Sequence, residues 1–141
     1  MANDGGDFAR SMSIATSGLR AQAGRMRVIS ENIANADSTG PNAGADPYRR
    51  KVPTFSSELD RSLDAKVVAL GRIRTDPSAF RIKHDPGNPA ADATGNVKYP
   101  NVNPLVEMTD MRDAQRSYEA NLNIISATRR MIQRTLDILK A

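Results

Sequence analysis

The chain has 141 residues, 39% hydrophobic and 26% charged, which makes one modest domain and excludes a second independent core. With no Cys, no Trp and a single histidine, His84, it has no material for disulfides, thiolate metal sites or a histidine relay, so metal-dependent and His-based catalysis are not expected. The net charge of +4 is spread thinly, and only Arg49, Arg50 and Lys51 form a run, whose lack of interleaved aromatics reads as a solvated face and not as a nucleic-acid site.

Residues 1–9 are polar and acidic, the opposite of a secretory signal, and are expected to form a flexible lead. Residues 10–36 predict a helix. Met12, Ala15, Leu19, Gln22, Met26, Ile29, Ile33 and Ala36 follow alternating spacings of 3 and 4, the mark of a coiled-coil-like seam. A second stripe of Ile14, Gly18, Ala21 and Val28 makes the apolar face wider than a two-helix contact requires. Gly18 and Gly24 each cost roughly 1 kcal/mol of helix propensity relative to Ala, but they would let a neighbouring backbone approach closely. The run from Asn35 to Pro41 supplies the stop signal.

All eight prolines lie in residues 37–104, which read as an inserted β and loop domain. Strands are predicted at Lys66 to Arg74, Phe80 to Lys83 and Val97 to Tyr99, with a turn at Asp76-Pro77-Ser78 between the first two. Ser38 to Pro47 and Asp85 to Asn96 read as polar loops, and a short helical turn is expected around Phe55, Leu59 and Leu63.

Residues 105–141 carry the strongest pattern. After Pro104, a residue suited to a helix start, Met108, Met111, Gln115, Tyr118, Leu122, Ile125, Arg129, Ile132, Leu136 and Leu139 continue the 3 and 4 alternation. About 36 helical residues would extend roughly 54 Å, longer than a domain of this size needs internally. The expected fold is therefore α+β: long N- and C-terminal helices forming a coiled-coil-like axial layer, with a small β-containing domain between them. The two helices could pair as a simple hairpin closing one core, but the second apolar stripe would then stay exposed, which points to self-assembly.

A search for chemistry finds turns instead. Asp85, Asn88, Asp92 and Gly95 lack the spacing and terminal Glu of a calcium loop, Asp85 and Asp92 have no burial pocket to split their pKa values, and His84 reads as a surface or turn residue. No GxGxxG, GxxxxGK[ST] or GxSxG occurs, so no cofactor, metal or catalytic residue is expected. No stretch is long and apolar enough to insert in a membrane. A basic helical adaptor, holding nucleic acid or an anionic surface through Arg49, Arg50, Lys51, Arg72, Arg74 and Arg81, is the competing reading.

Two motifs in the first helix, Ser17 to Gln22 and Val28 to Asn35, resemble the N-terminal signature of the axial rod and hook proteins of the bacterial flagellum. Asp46 to Lys51, His84 to Asp92, Lys98 to Met108 and Ser117 to Asn123 narrow this to the rod proteins of the basal body, and among them the C-type proximal-rod subunit. The resemblance covers about residues 10 to 140. It implies a structural subunit of a hollow drive shaft that carries torque from the membrane ring toward the hook. Its terminal helices pack around the export channel, and it is exported by the flagellar type III apparatus without signal cleavage. The partners implied are other rod subunits, membrane-ring and rod-adaptor proteins and that export apparatus, in the periplasmic part of the basal body. On that reading the subunit interface draws on Met12, Leu19, Met26, Ile29, Asn32, Ile33, Asn35, Met108, Met111, Tyr118, Leu122, Ile125, Ile132, Leu136 and Leu139. Arg49, Arg50 and Lys51 are expected to face acidic groups on a neighbouring subunit.

Overall fold

Helix α1 runs Asp4–Ala34 in a computed structural model that describes residues 4–140. Residues 4–9, expected as a flexible lead, are thus helical, and Asp7 pairs with Arg10 one turn on at 3.8 Å. The remainder of that lead, residues 1–3, lies outside the described residues. The helix closes where the stop signal sits: the Ala36 amide donates to Ile33 O and the Ser38 hydroxyl to Asn35 O.

Six short strands follow: β1 Lys51–Val52, β2 Phe55–Asp60, β3 Ala65–Leu70, β4 Arg74–Thr75, β5 Arg81–His84 and β6 Asn96–Tyr99. They form three separate antiparallel ladders, β1 with β4, β2 with β3 and β5 with β6. The helical turn expected around Phe55 is instead strand β2, paired along its length from Phe55 with Leu70 to Asp60 with Ala65. The hairpin overrides the 4-residue apolar spacing because its turn is built locally: Asp60 Oδ1 accepts from the amide and hydroxyl of Ser62, and Asp64 takes a positive φ of 47°. The single run expected from Lys66 to Arg74 is split between β3 and β4. At the Asp76 turn, the carboxylate accepts the Ser78 amide at 2.9 Å. Helix α2, Pro104–Lys140, starts with proline in the first turn and with Asn103 Oδ1 accepting the Leu105 amide at 3.1 Å. The α+β class, two long helices around a small β-containing region, holds.

The chain contacts divide across the helix, insert, helix order of the sequence. One unit gathers α1 up to Arg25, Thr54–Arg72 and α2 from Asp113; the other gathers Met26–Pro53 and Ile73–Arg112. In the first unit the buried helical positions are small: Ala15 and Ala21 on α1, Ala114 and Thr128 on α2. Gly18 lies among them, and a Cβ placed there would come within 2.8 Å of the Asn121 amide; at Gly24 it would meet Leu70 Cδ2 at 2.7 Å. The glycines thus admit side chains from α2 and β3, not a neighbouring backbone. The Ser17 hydroxyl accepts the Val68 amide and ties β3 to α1. In the second unit the core is aliphatic, with Val28, Ile29, Val97 and Val102 fully buried. Among the described residues no helix is long and apolar enough to cross a membrane.

Candidate functional site

Two features of this chain stand apart from an ordinary small core: a buried polar network in the second unit and rows of exposed apolar side chains on α2.

The network is centred on Asn32, which has no solvent exposure. A buried amide loses its water partners, so each must be replaced. Here all are: Asn32 Nδ2 donates to Lys51 O at 2.8 Å and to Glu107 Oε2 at 3.0 Å. Its Oδ1 accepts from the Tyr48 hydroxyl at 2.8 Å and the Lys51 amide at 2.9 Å. Glu107, 1% exposed, is held on its other oxygen by Arg50 Nε at 2.6 Å. Arg50 also reaches Asp76 at 3.5 Å and Asp110 at 3.8 Å. Asn101 closes the ring, accepting the Arg50 amide at 2.8 Å and donating to Asp76 O and the Ser78 hydroxyl. The electrostatics follow from this packing. Burial, with the charges of Glu31 and Glu107 added, pushes the Tyr48 phenol up to about 12. Arg50 meets a desolvation penalty, but the hydrogen bond and charge of Glu107 outweigh it and raise its pKa. The Ser78 amide and hydroxyl, aided by Arg50, hold the Asp76 carboxyl below its ordinary value.

The basic run, expected to face acidic groups on a neighbouring subunit, makes contacts within its own chain. Arg50 is paired within its own chain to Glu107, Asp76 and Asp110, and Lys51 to Glu31. Arg49 donates to Asp76 O and Ser78 O and lies 4.1 Å over the Phe80 ring. Acidic partners for Arg50 and Lys51, and carbonyl partners for Arg49, are supplied from inside the subunit. Arg81 is similarly engaged, donating to Ala36 O and Pro100 O. Asn32 and Ile29, expected at a subunit interface, are buried inside the subunit.

The remaining expected interface residues divide by helix. On α1, Met12, Leu19, Met26 and Ile33 are part-buried, as is Asn35 just past its end. On α2, Met111, Tyr118, Ile125 and Ile132 are part-buried and lie on the stripe that also holds buried Glu107, Ala114 and Thr128. Met108, Leu122, Leu136 and Leu139 are exposed, as are Ile124, Met131 and Ile138, which the seam pattern did not select. Exposure is greatest near the end of the helix, 76% at Ile138 and 77% at Leu139. The residues that sequence reasoning missed are the small or polar ones, Ala114, Thr128, Glu107 and Tyr48. The heptad steps 107, 114, 121 and 128 were available as their signal. Among the described residues no group of three or more His, Asp or Glu side chains is arranged to hold a metal.

Asn32, Tyr48, Arg50, Lys51, Asn101 and Glu107 belong to segments far apart in the chain: Val28 to Asn35, Asp46 to Lys51 and Lys98 to Met108. Those are motifs that carry the flagellar resemblance, and comparison with known proteins agrees. Residues 12–41 match the model for flagella basal body rod proteins, and residues 93–138 match that for the C-terminal region of flagellar basal body rod FlgEFG proteins. The chain is 56% identical over 128 residues to the flagellar basal-body rod protein FlgC of Agrobacterium fabrum, covering 91% of this chain and 92% of that one. It is 39% identical over 145 residues to FlgC of Bacillus subtilis, covering 92% and 97%, and 37% identical over 126 residues to FlgC of Salmonella typhimurium, covering 89% and 92%. With that identity along nearly the whole length, the chain belongs to the FlgC family of flagellar basal-body rod proteins and is a structural, non-enzymatic component of the basal body.

Proposed function

We propose that this chain is a subunit of the proximal rod that polymerises through its helices into the hollow shaft carrying torque from the membrane ring toward the hook. Its partners on this reading are further rod subunits, membrane-ring and adaptor proteins and the type III export apparatus that delivers it. The observation that carries the reading is the set of large apolar side chains left in water on α2, from Leu122 and Ile124 to Ile138 and Leu139. Large apolar side chains left in water in this number are costly in a free monomer and are relieved by burial against other chains. The adaptor reading is weakened, because Arg50 and Lys51 of the basic run are already paired with acidic groups within the subunit.

Paired substitution Ile138→Asp and Leu139→Asp tests the proposal. Both side chains are largely solvated in the single subunit, so its helicity and melting midpoint should not change. In an assembled rod two carboxylates would be buried without partners, and motility should be lost. A normally motile strain carrying both substitutions would overturn the assignment of this surface.

A further inference from the structure

Aliphatic contacts between helices are non-directional, so a seam built only of them tolerates a slide of one turn. In the second unit Asn32 lies beside buried Val28 and Ile29 on α1, and Glu107 lies one turn from Met111 on α2. Those aliphatic residues do not distinguish one register from the next. The polar pair does, because Asn32 Nδ2 meets Glu107 Oε2 at 3.0 Å with both side chains withdrawn from water. Asn32 is itself fixed by both backbone groups of Lys51 and by the Tyr48 hydroxyl, so it cannot follow a sliding helix. A shift of α2 by one turn, about 5.4 Å, would set the Glu107 carboxylate against aliphatic side chains and leave the Asn32 amide without its acceptor.

We infer that the Asn32 and Glu107 pair is a register key: it fixes the axial position of α2 against α1 and so determines which apolar surface the subunit presents to its neighbours. This rests on the assembly reading above. In the same unit α2 carries exposed Leu105, Val106 and Met108, while Ile73 and Ile82 are exposed outside the helix. The spacing between these two groups changes with every slide of α2, so a neighbour that reads both accepts only one register.

Glu107→Met and Glu107→Gln separate this role from a contribution to stability. Both remove the charge, but Gln keeps an oxygen for Asn32, whereas Met offers an apolar side chain of similar length with no register of its own. Arg50 retains Asp76 and Asp110 in either variant. In the purified full chain the two melting midpoints should lie within about 4 °C of each other. The methyl spectrum of Glu107→Gln should show one set of peaks for Val28, Ile29 and Met111. That of Glu107→Met should show a second set with about a tenth of the intensity or more. Swim rings should be near normal for Gln and reduced at least about tenfold in area for Met. A single set of peaks in Glu107→Met, failure of that variant to fold, or a doubled spectrum in Glu107→Gln overturns the register role. Doubled peaks with normal swimming of Glu107→Met overturn the link from register to assembly. The monomer spectra stand whether or not the Ile138 and Leu139 surface proves to be an interface.

Discussion

Truncating the three adjacent cations one at a time should give three very different losses of stability. Arg50→Ala removes the partner of a carboxylate that is 1% exposed, and breaking a buried pair from one side costs about 3–5 kcal/mol, because the remaining charge stays buried. The Asn32 amide still donates to Glu107, which places the loss near the lower end, about 3 kcal/mol, or about 10 °C in melting midpoint for a chain of this length. Arg49→Ala loses two hydrogen bonds to carbonyls and a guanidinium stacked on Phe80, together about 1–2 kcal/mol. Lys51→Ala loses one half-exposed ion pair with Glu31, worth about 0.5 kcal/mol. Urea unfolding followed by circular dichroism measures all three. Repeating it in 1 M NaCl, where screening extends to about 3 Å, should erase the Lys51 effect and leave most of the Arg50 effect. Three equal losses, or an Arg50→Ala loss below about 1 kcal/mol, would refute the assignment of this run to an internal network.

Gly24→Val should destabilise the first unit by about 1–3 kcal/mol, since even its Cβ would lie 2.7 Å from Leu70 Cδ2; Leu70→Ala in the same chain should recover part of the loss, read as a partial return of the melting midpoint. Stability should also fall at both pH extremes, for opposite reasons. Asp76 has its folded pKa depressed, so its contribution is present above the unfolded value of 3.8 and is lost as pH falls through and below it. Tyr48 has its folded pKa raised from 10.0 to about 12, so its contribution is present below pH 10 and is lost as pH climbs through that window; Tyr48→Phe should flatten the alkaline side of the stability profile.

Much of the fold was legible because it depends on local chemistry. Proline placement separated the helices from the middle, Asn35 to Pro41 ended α1, and Pro104 opened α2. The Asp76 turn was readable from residue type alone. The β2–β3 hairpin was not, since Phe55, Leu59 and Leu63 carry helical spacing and only pairing with β3 selects the strand. The polar network was equally hidden. Its members are separated by up to 75 positions, as between Asn32 and Glu107, and no periodicity links an asparagine on one helix to a glutamate on another. The internal partners of the basic run were hidden for the same reason: repulsion among Arg49, Arg50 and Lys51 is evident locally, whereas the acids that pair with Arg50 and Lys51 lie at positions 31, 76, 107 and 110.

The seam of α2 shows how a correct period can select a face other than the one buried inside the subunit. Steps of 3 and 4 from Met108 pass through Gln115 and Arg129, two polar residues in a row meant to be buried. The stripe that is buried shares Met111, Tyr118, Ile125 and Ile132 with that row but replaces its other members by Glu107, Ala114, Asn121 and Thr128, each one residue earlier. The shift of one residue turns the helix by about 100° at those positions. On α1 in the first unit Ala15, Gly18 and Ala21 are also small, and Gly18 receives the Asn121 side chain. Leu122, Leu136 and Leu139 are left outside that contact. The apolar residues most conspicuous in the sequence are therefore the ones a single subunit does not use. Their solvated state in the isolated chain is the physical ground for testing assembly at the end of α2 and not at the buried face of α1.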